Sequence, residues 1–423
     1  MSGHDTVAGV PLRTIAKLLA PVGLGDVDDD PPTGREALET SFARVVLGTM
    51  TEPGDTDAGM LVSGLGPVAA VRCVVDELDA TEVLGRLGAD PSSARQRARM
   101  AEALNRWRTR GSPDAGVRAL EMAAHVGARL LTPETSGWPE GLAALGAGEP
   151  LALWLRGNPA RLSSLERSVS LVGARAATGY GEHVAMESAA GLGDRGFAIV
   201  SGGAYGIDGA AHRAAVTSGH VTIAFLAGGV DRLYPAGHSD LLRRVADTGL
   251  LIGELPCGST PTRWRFLMRN RLIAAVSGAT VVVEAGHRSG SLNTAGHAAE
   301  IGRPLGAVPG PVTSPASAGC HRLIREYAAT CVTTVDEMAE LADPLGTAVG
   351  AQGGSEPPGA DGSADGGADD RAVMAAASIR GGREPDELAQ VTGLSLPSVI
   401  AALGRLSLSG AVRPTATGWE ATR

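Results

Sequence analysis

Short aliphatic segments alternate with longer helical segments between residues 168 and 310. Each aliphatic run ends in glycine or a small polar residue, and the runs read SVSLVGA, FAIVSGG, VTIAFLAGG, LLIGEL, ATVVVEAG and PLGAVPG. Strands that are buried on both faces of a parallel sheet are aliphatic throughout, and strand–helix alternation joins them by right-handed crossovers. The pattern therefore predicts an α/β fold with a Rossmann-like parallel sheet at its core.

Glycine-rich turns follow three of these strands, at residues 173–175, 201–208 and 228–235. Ligands of parallel sheets bind beyond the carboxyl ends of the strands, where glycine lets backbone N–H groups approach an anion. A phosphate site is one interpretation, and turns that only connect strand to helix are the other. The first turn lacks GxGxxG and no GxxxxGK[ST] is present, so neither a dinucleotide nor any other cofactor is expected.

Arginine is concentrated in the segment RWRFLMRNR, which opens the helix before the strand at 279–285. Its four arginines and Asn270 are interleaved with Trp264 and Phe266, and this combines phosphate-binding guanidinium groups with surfaces on which bases stack. The alternative is a solvated helix face. The segment SGSLNT at 289–294 offers hydroxyls and free amides at a helix start, which suits either a phosphate or ordinary N-capping.

Catalytic groups are not evident in the pattern. Ser201 has no histidine partner in the sequence around it, and the histidines lack metal-ligand spacing. Glu254 and Glu284, at or near strand ends, are either a carboxylate pair or partners of nearby arginines. We therefore expect neither an enzyme nor a metal site.

Composition divides the chain into five parts. They are a disordered lead-in (1–36), a helical N-terminal domain of the SAM or helix-hairpin-helix type (37–130), the Rossmann-like domain (131–343), a flexible acidic linker (344–370) and a winged helix (371–423). Around MLVSGLGPVAAV a DNA-binding hairpin and an ordinary helical packing module remain open. For the winged helix, duplex binding competes with protein contact or scaffolding, since its recognition helix offers only Arg405.

The net charge of −9 opposes a surface that coats nucleic acid, so any DNA site must be local. The four cysteines are scattered without ligand or disulfide spacing. The N-terminus does not resemble a signal peptide and no long apolar run occurs, so we expect a cytoplasmic protein without membrane insertion.

Taken in order, the motifs resemble the DNA-processing protein A (DprA/Smf) family. The matching segments are VGARAATGYG, IVSGGAYGIDGAAHRAAV, TIAFLAGGVDRLYP, LIGELP, FLMRNRLIAAVSGATVVVEA, SGSLNTAGHA, GRPLGAVPG and GCHRLI. The resemblance covers about residues 168–330 and extends more loosely to the entry segment before it and to the C-terminal tail.

This resemblance implies a dimeric, non-enzymatic recombination mediator. Such a protein binds single-stranded DNA at the sheet's carboxyl edge, protects incoming DNA and helps load RecA recombinase during natural transformation or recombination. The implied DNA-binding residues are Arg175, Ser201, Gly202, Gly203, Tyr205, Arg232, Arg269, Asn270, Arg271, Ser289, Gly290 and Thr294.

The sequence departs from the family pattern at four positions. Tyr205 stands where many members have Lys or Arg, and it offers a stacking surface in place of a charge. His238 and His321 replace asparagines, and Tyr327 replaces a glycine. The alternative function is a nucleotide-ligand hydrolase or sensor, but SGSLNTAGHAAE lacks the PGGxGTxxE signature of phosphoribohydrolases.

Overall fold

The computed structural model describes residues 6–24, 34–343, 366–377, 382–408, 411–415 and 418–422. They fall into two compact units, Met1–Thr347 and Ala348–Arg423.

The first unit begins with small strands and helices. They are β1 Thr6–Val7, β2 Val10–Pro11, α1 Leu12–Leu19, α2 Arg35–Met50, α3 Thr56–Leu65, α4 Pro67–Val75, α5 Ala80–Arg86, α6 Ala94–Arg110 and α7 Pro113–His125. Among the described residues no single helix is long and apolar enough to span a membrane; only α3 and α4 together, bent by 117°, reach that length and composition.

The rest of the unit alternates strand and helix. Its elements are β3 Arg129–Leu131, β4 Leu153–Gly157, β5 Ser168–Gly173, α8 Gly179–Asp194, β6 Ala198–Ser201, α9 Ile207–Thr217, β7 Thr222–Leu226, α10 Ser239–Thr248, β8 Leu250–Gly253, α11 Arg263–Val276, β9 Ala279–Glu284, α12 Ser291–Glu300, β10 Leu305–Ala307, α13 Ala318–Glu326, β11 Thr330–Cys331 and α14 Val335–Ala342.

Nine strands form one sheet in the order β11-β10-β9-β5-β6-β7-β8-β4-β3. The strands from β11 to β8 are parallel, while β4 runs antiparallel to both β8 and β3. The chain leaves β5 toward β6 and later returns to the other side of β5 as β9. The Rossmann-like parallel core predicted from the aliphatic runs is therefore confirmed, and its topological switch point lies between β5 and β9.

The N-terminal helices share a hydrophobic core with the sheet. Phe42 and Trp107 from α2 and α6 belong to the same buried cluster as Leu226, Leu242 and Leu251. The predicted boundary at 130/131 thus does not divide two cores, because the helices bury their apolar faces against one side of the sheet rather than against one another alone.

The expected disordered lead-in differs from the structure over residues 6–24. Helix α1 buries Ile15 and Leu19 completely or nearly so in the shared core. The Asp- and Pro-rich composition around residues 25–33 dominated the prediction and concealed the short amphipathic run LRTIAKLL. Residues 1–5 and 25–33 lie outside the described residues.

The second unit consists of α15 Gly366–Ala376, α16 Pro385–Thr392, α17 Leu396–Leu408 and the antiparallel strands β12 Val412–Thr415 and β13 Gly418–Ala421. Leu388, Val399 and Leu403 form part of its small core. Three helices and a hairpin follow the predicted order, and the winged-helix assignment remains a prediction. Most of the predicted linker, residues 344–365, lies outside the described residues, and α15 begins within its last part.

A buried neutral histidine fixes α9 to the sheet. Thr222 donates its hydroxyl to the Ile199 carbonyl, so His212 Nδ1 donates to Thr222 Oγ1 at 2.7 Å. His212 Nε2 has no hydrogen-bond partner among the described residues. Burial, with smaller effects of His238 and Arg269, lowers the pKa of His212 from 6.5 to about 3.

Acidification is expected to destabilise the protein through His212. Between its folded pKa of about 3 and its unfolded value of 6.5 only the unfolded chain binds the proton. The free energy of unfolding should therefore fall by about 1.4 kcal/mol for each pH unit below the unfolded value. Urea unfolding at about pH 7.5 and about pH 5 should show a loss of about 2 kcal/mol that His212→Asn lacks. An identical pH dependence in both proteins would contradict this role.

Candidate nucleic-acid interface

A cavity of about 1050 Å³ opens at the carboxyl ends of β5 and β9, at the topological switch point. Its walls are the loop after β5, the pocket-facing side of α11 and the segment that leads into α12. The position agrees with the general rule for parallel sheets and with the glycine-rich strand ends identified in the sequence.

Three arginines bring positive charge to this cavity. Arg175 follows β5, Arg263 begins α11 and Arg288 precedes α12, and all three are exposed. Among the described residues none of them has a hydrogen-bond or ion-pair partner, in contrast to most other arginines of the chain. Each of these guanidinium groups is therefore available to form two parallel hydrogen bonds to one anion.

Aromatic rings line the same wall. The Arg175 guanidinium lies 5.0 Å from the centre of the Phe266 ring, and the Tyr234 ring centre is 5.5 Å from that of Phe266. Tyr234 is 51% exposed, whereas Trp264, on the first turn of α11, is 56% exposed but does not line the cavity. These flat surfaces accept stacked bases at little conformational cost.

The opposite wall is polar. Ser289, Gly290 and Thr294 all line the cavity at the start of α12. Asn270 reaches across from α11 and donates from Nδ2 to Asn293 Oδ1 at 3.2 Å. A side chain added at Gly290 would enter open space, so the backbone here is accessible from the cavity.

The loop that carries Arg175 is rigidly held by Glu284. Its buried carboxylate accepts hydrogen bonds from the Thr178 N–H at 2.8 Å and from Thr178 Oγ1 at 2.7 Å. The Ala174 N–H donates to the Glu284 carbonyl at 2.7 Å. Gly206 lies so close that a Cβ atom there would stand 2.1 Å from the Ala174 carbonyl oxygen. Arg175 is thereby presented from a fixed backbone.

Arg269 lines the cavity but is 5% exposed. It donates from Nη1 to the Gly202 carbonyl at 2.7 Å and to the Phe225 carbonyl. Burial lowers its pKa to about 10, opposed by the charge of Asp208. Burial likewise raises the pKa of Asp208, which Arg269 opposes. The Arg269 guanidinium thus binds the carbonyl groups at the ends of β6 and β7.

Arg271, which was also predicted to bind DNA, does not line the cavity. It is 4% exposed and pairs with Glu254 at 2.7 Å on the far side of α11. Arg265 likewise points away and binds Glu52 at 3.0 Å. Of the four arginines in the sequence cluster, only Arg263 has no partner in the part of the chain that the structure describes, because the other three point toward protein partners.

Ser201, Gly202 and Gly203 also lie outside the cavity. Ser201 is fully buried and donates its hydroxyl to the Leu171 carbonyl at 2.7 Å. The Gly202 N–H donates to Asp208 Oδ2 at 3.1 Å, and a Cβ atom at Gly202 would stand 2.4 Å from the Arg269 guanidinium. Glycine is therefore needed at position 202 because it leaves space for the Arg269 guanidinium. The sequence had instead suggested that this turn binds phosphate.

Tyr205 and Arg232 are exposed beside the cavity rather than in its lining. The Tyr205 ring packs edge-on against His238 at 4.7 Å, and its hydroxyl accepts from the Gly237 N–H at 3.3 Å. Arg232 is half exposed near Asp231, at 3.8 Å.

The two histidine departures each tie down a loop. His238 Nδ1 lies 3.1 Å from the Gly203 carbonyl, and His321 Nε2 lies 2.9 Å from the Gly310 carbonyl. Tyr327 caps the end of α13 beside Arg322. All three contacts lie outside the cavity lining.

Sequence reasoning missed Arg288, Tyr234 and Asn293, which also line the cavity. Tyr234 and Asn293 lie within segments singled out in the sequence, 228–235 and 289–294, and Arg288 directly precedes the second, so the signal was proximity to a predicted strand end. Glu254 and Glu284 do not form a carboxylate pair, because each is occupied by the contacts given above. The described residues contain no cluster of three or more His, Cys, Asp or Glu suited to a metal ion.

Comparison with known proteins bears on this site. The sequence profile described as DNA recombination-mediator protein A matches residues 129–343. A DprA-named protein of Mycobacterium tuberculosis is 43% identical over 396 residues, which cover 91% of this chain and 95% of that protein. The DNA processing protein DprA of Bacillus subtilis is 36% identical over 192 residues, covering 45% of this chain and 64% of that protein.

A solved structure is also similar. DNA processing protein A from Streptococcus pneumoniae superposes with a TM-score of 0.55 at 28% identity, and the match covers 72% of this chain and 98% of that one. The likeness thus includes more than the segment matched by the profile.

The contrast between Arg271 and Arg175 can be measured by stability alone. Arg271→Met leaves Glu254 buried without its charge partner and should lower the free energy of unfolding by about 3 to 5 kcal/mol. Arg175→Ala removes an exposed, unpaired group and should change it by less than about 0.5 kcal/mol. Urea unfolding of both variants tests this. Wild-type stability in Arg271→Met would show that the pair with Glu254 is not structural.

Proposed function

Because this chain belongs to the DNA recombination-mediator protein A family, we propose that it binds single-stranded DNA in the cavity between the β5 loop, α11 and α12. The observation that carries the proposal is the joint presence of unpaired Arg175, Arg263 and Arg288 with the rings of Phe266 and Tyr234 in one cavity. Arginine forks neutralise phosphates, and the rings stack on bases that are not paired.

The arrangement favours a single strand over a duplex. Paired bases are stacked inside the double helix and cannot reach a ring in the wall of a cavity, whereas splayed bases can. In the polar wall, Asn270, Ser289 and the backbone of Gly290 supply hydrogen bonds to phosphate, sugar or base edges, whereas Thr294 lines the same wall but is only 2% exposed. Tyr205 and Arg232 border the exit and extend the site in our proposal, while Arg269 and Arg271 act as its frame.

We propose that the protein acts without turnover. Support comes from the carboxylates, since Glu254 and Glu284 are held by structural contacts and Asp208 is buried against the Gly202 N–H and the charge of Arg269. The nucleotide-hydrolase alternative predicts release of base or phosphate when the protein is incubated with nucleotides, which chromatography of the products would detect.

We further propose that the protein acts as a homodimer, protects incoming DNA and helps load RecA recombinase. Family membership supports it. With single-stranded DNA coated by a single-strand-binding protein, the wild type should restore the DNA-dependent ATPase of RecA, and Arg175→Ala/Arg263→Ala should not. Restoration by both proteins would separate RecA loading from this cavity; restoration by neither would count against the loading role.

Binding itself should be measured by fluorescence anisotropy with labelled oligo-dT and with a duplex of equal length. The wild type should prefer oligo-dT, and its affinity should fall linearly on a log–log plot against salt. Each of Arg175→Ala, Arg263→Ala and Arg288→Ala should weaken binding about tenfold and reduce the salt slope by about 0.7, the value for one phosphate of a single strand.

Two further variants are informative, one as a control outside the cavity and one as a test of stacking. Arg118→Ala removes an exposed arginine from α7, distant in sequence from the cavity segments, and should leave both affinity and slope unchanged. Phe266→Leu should weaken binding by about 1 to 3 kcal/mol without changing the slope, because stacking releases no counterions. Equal binding by wild type and all three arginine variants would reject the cavity as the DNA site.

A further inference from the structure

Helix α11 has two faces with different partners. One side, with Arg263, Phe266 and Asn270, lines the cavity. The other side carries Arg265 and Arg271, and both contact residues outside the cavity. Residues three or four apart share a side of a helix, which places Arg263, Phe266 and Asn270 on one side and Arg265, Met268 and Arg271 on the other. Because a helix is one hydrogen-bonded element, a shift of the rear side also shifts the side that lines the cavity.

Glu52 joins the rear of α11 to the N-terminal helices. Its carboxylate accepts from Arg265 Nε at 3.0 Å and from Arg265 Nη2 at 3.3 Å, and it also pairs with Arg110 in the last turn of α6. The Arg265 side chain is 12% exposed and that of Glu52 is 34% exposed, so solvent screens the bridge only in part. One carboxylate thus connects α6 to α11.

Gly54 makes a second connection two residues later. Its N–H donates to Glu254 Oε1 at 3.2 Å, the same oxygen that binds Arg271. Its backbone adopts φ +71°, and a Cβ atom there would stand 2.4 Å from Met268 Cε. Glycine therefore lets the segment 51–55 lie directly against the rear of α11.

The segment 51–55 is itself fixed. Thr51 donates its hydroxyl to the Leu47 carbonyl at 3.0 Å, at the end of α2. Asp55 caps α3 by accepting from the Asp57 and Ala58 N–H groups, and it accepts from Trp107 Nε1 at 2.8 Å. A segment anchored at both ends to three helices provides a rigid backing for α11.

We propose that the N-terminal helices position α11 for DNA binding through the segment 51–55, with Glu52 as the positioning residue. The inference rests on the proposed single-strand function. Glu52 touches no part of the cavity lining, and it acts by holding Arg265 and so fixing where Arg263 and Phe266 stand. The N-terminal helical region is on this view a working part of the DNA site rather than an appended module.

The experiment compares Glu52→Gln with the matched control Glu134→Gln. Glu134, in the segment after β3, forms a part-buried ion pair with Arg44 of α2 at 2.6 Å, and no hydrogen bond or ion pair joins either residue to α11 among the described residues. Oligo-dT anisotropy gives the dissociation constant, thermal unfolding gives stability, and hydrogen exchange reports the opening of α11. All binding is measured well below both melting temperatures.

Glu52→Gln should raise the dissociation constant about five- to tenfold and speed amide exchange in α11, whereas Glu134→Gln should do neither at a comparable loss of stability. Arg265→Gln should match Glu52→Gln, and the double variant should bind no more weakly than either single one, since the two residues act through one contact.

Unchanged affinity and exchange in Glu52→Gln would overturn the inference, as would an equal loss of affinity in Glu134→Gln. A wild type that fails to bind oligo-dT would instead overturn the proposed function, and the inference with it. The two failures are distinguished by the wild-type titration, because only the second is seen without any substitution.

Discussion

The buried guanidinium of Arg269 is the interaction on which the architecture of the site depends. It joins α11 to the carbonyl ends of β6 and β7 through Gly202 and Phe225. Removing such a charge from water is costly, and here carbonyl dipoles and the nearby charge of Asp208 offset the cost. The contact requires that residue 202 have no side chain. Glycine at a strand end therefore serves the placement of a helix, and the helix in turn forms one wall of the cavity.

The same helix shows why identical residues have unlike roles. Arg263, Arg265, Arg269 and Arg271 lie within nine residues, yet only the first lacks a protein partner among the described residues. A cluster of arginines in a sequence shows that positive charge is present, but it does not show toward which groups the side chains point. The orientation of each arginine side chain is set by the carboxylate and carbonyl groups that pack against that turn of the helix. Those groups come from other parts of the chain.

The parallel sheet could be predicted because its central strands are buried on both faces and are therefore aliphatic throughout. The general location of the cavity followed, since strand ends are marked by glycine. The roles of Arg265 and Arg271 could not be predicted, because their partners Glu52 and Glu254 are 213 and 17 positions away and become neighbours only on folding. Helix α1 was missed for a different reason: its amphipathic run is only eight residues long and lies near an acidic, proline-rich stretch that dominated the composition.

The three unpaired arginines stand on a chain whose net charge is −9. A duplex chromosome is present in great excess over any single strand in a cell and competes for every exposed cation. A chain with net negative charge has little non-specific affinity for phosphate, so on the proposed function its overall charge disfavours duplex while the cavity favours a single strand. On the proposed function, the negative charge of the chain therefore limits its sequestration on duplex DNA, and more of the protein stays free to encounter scarce single strands.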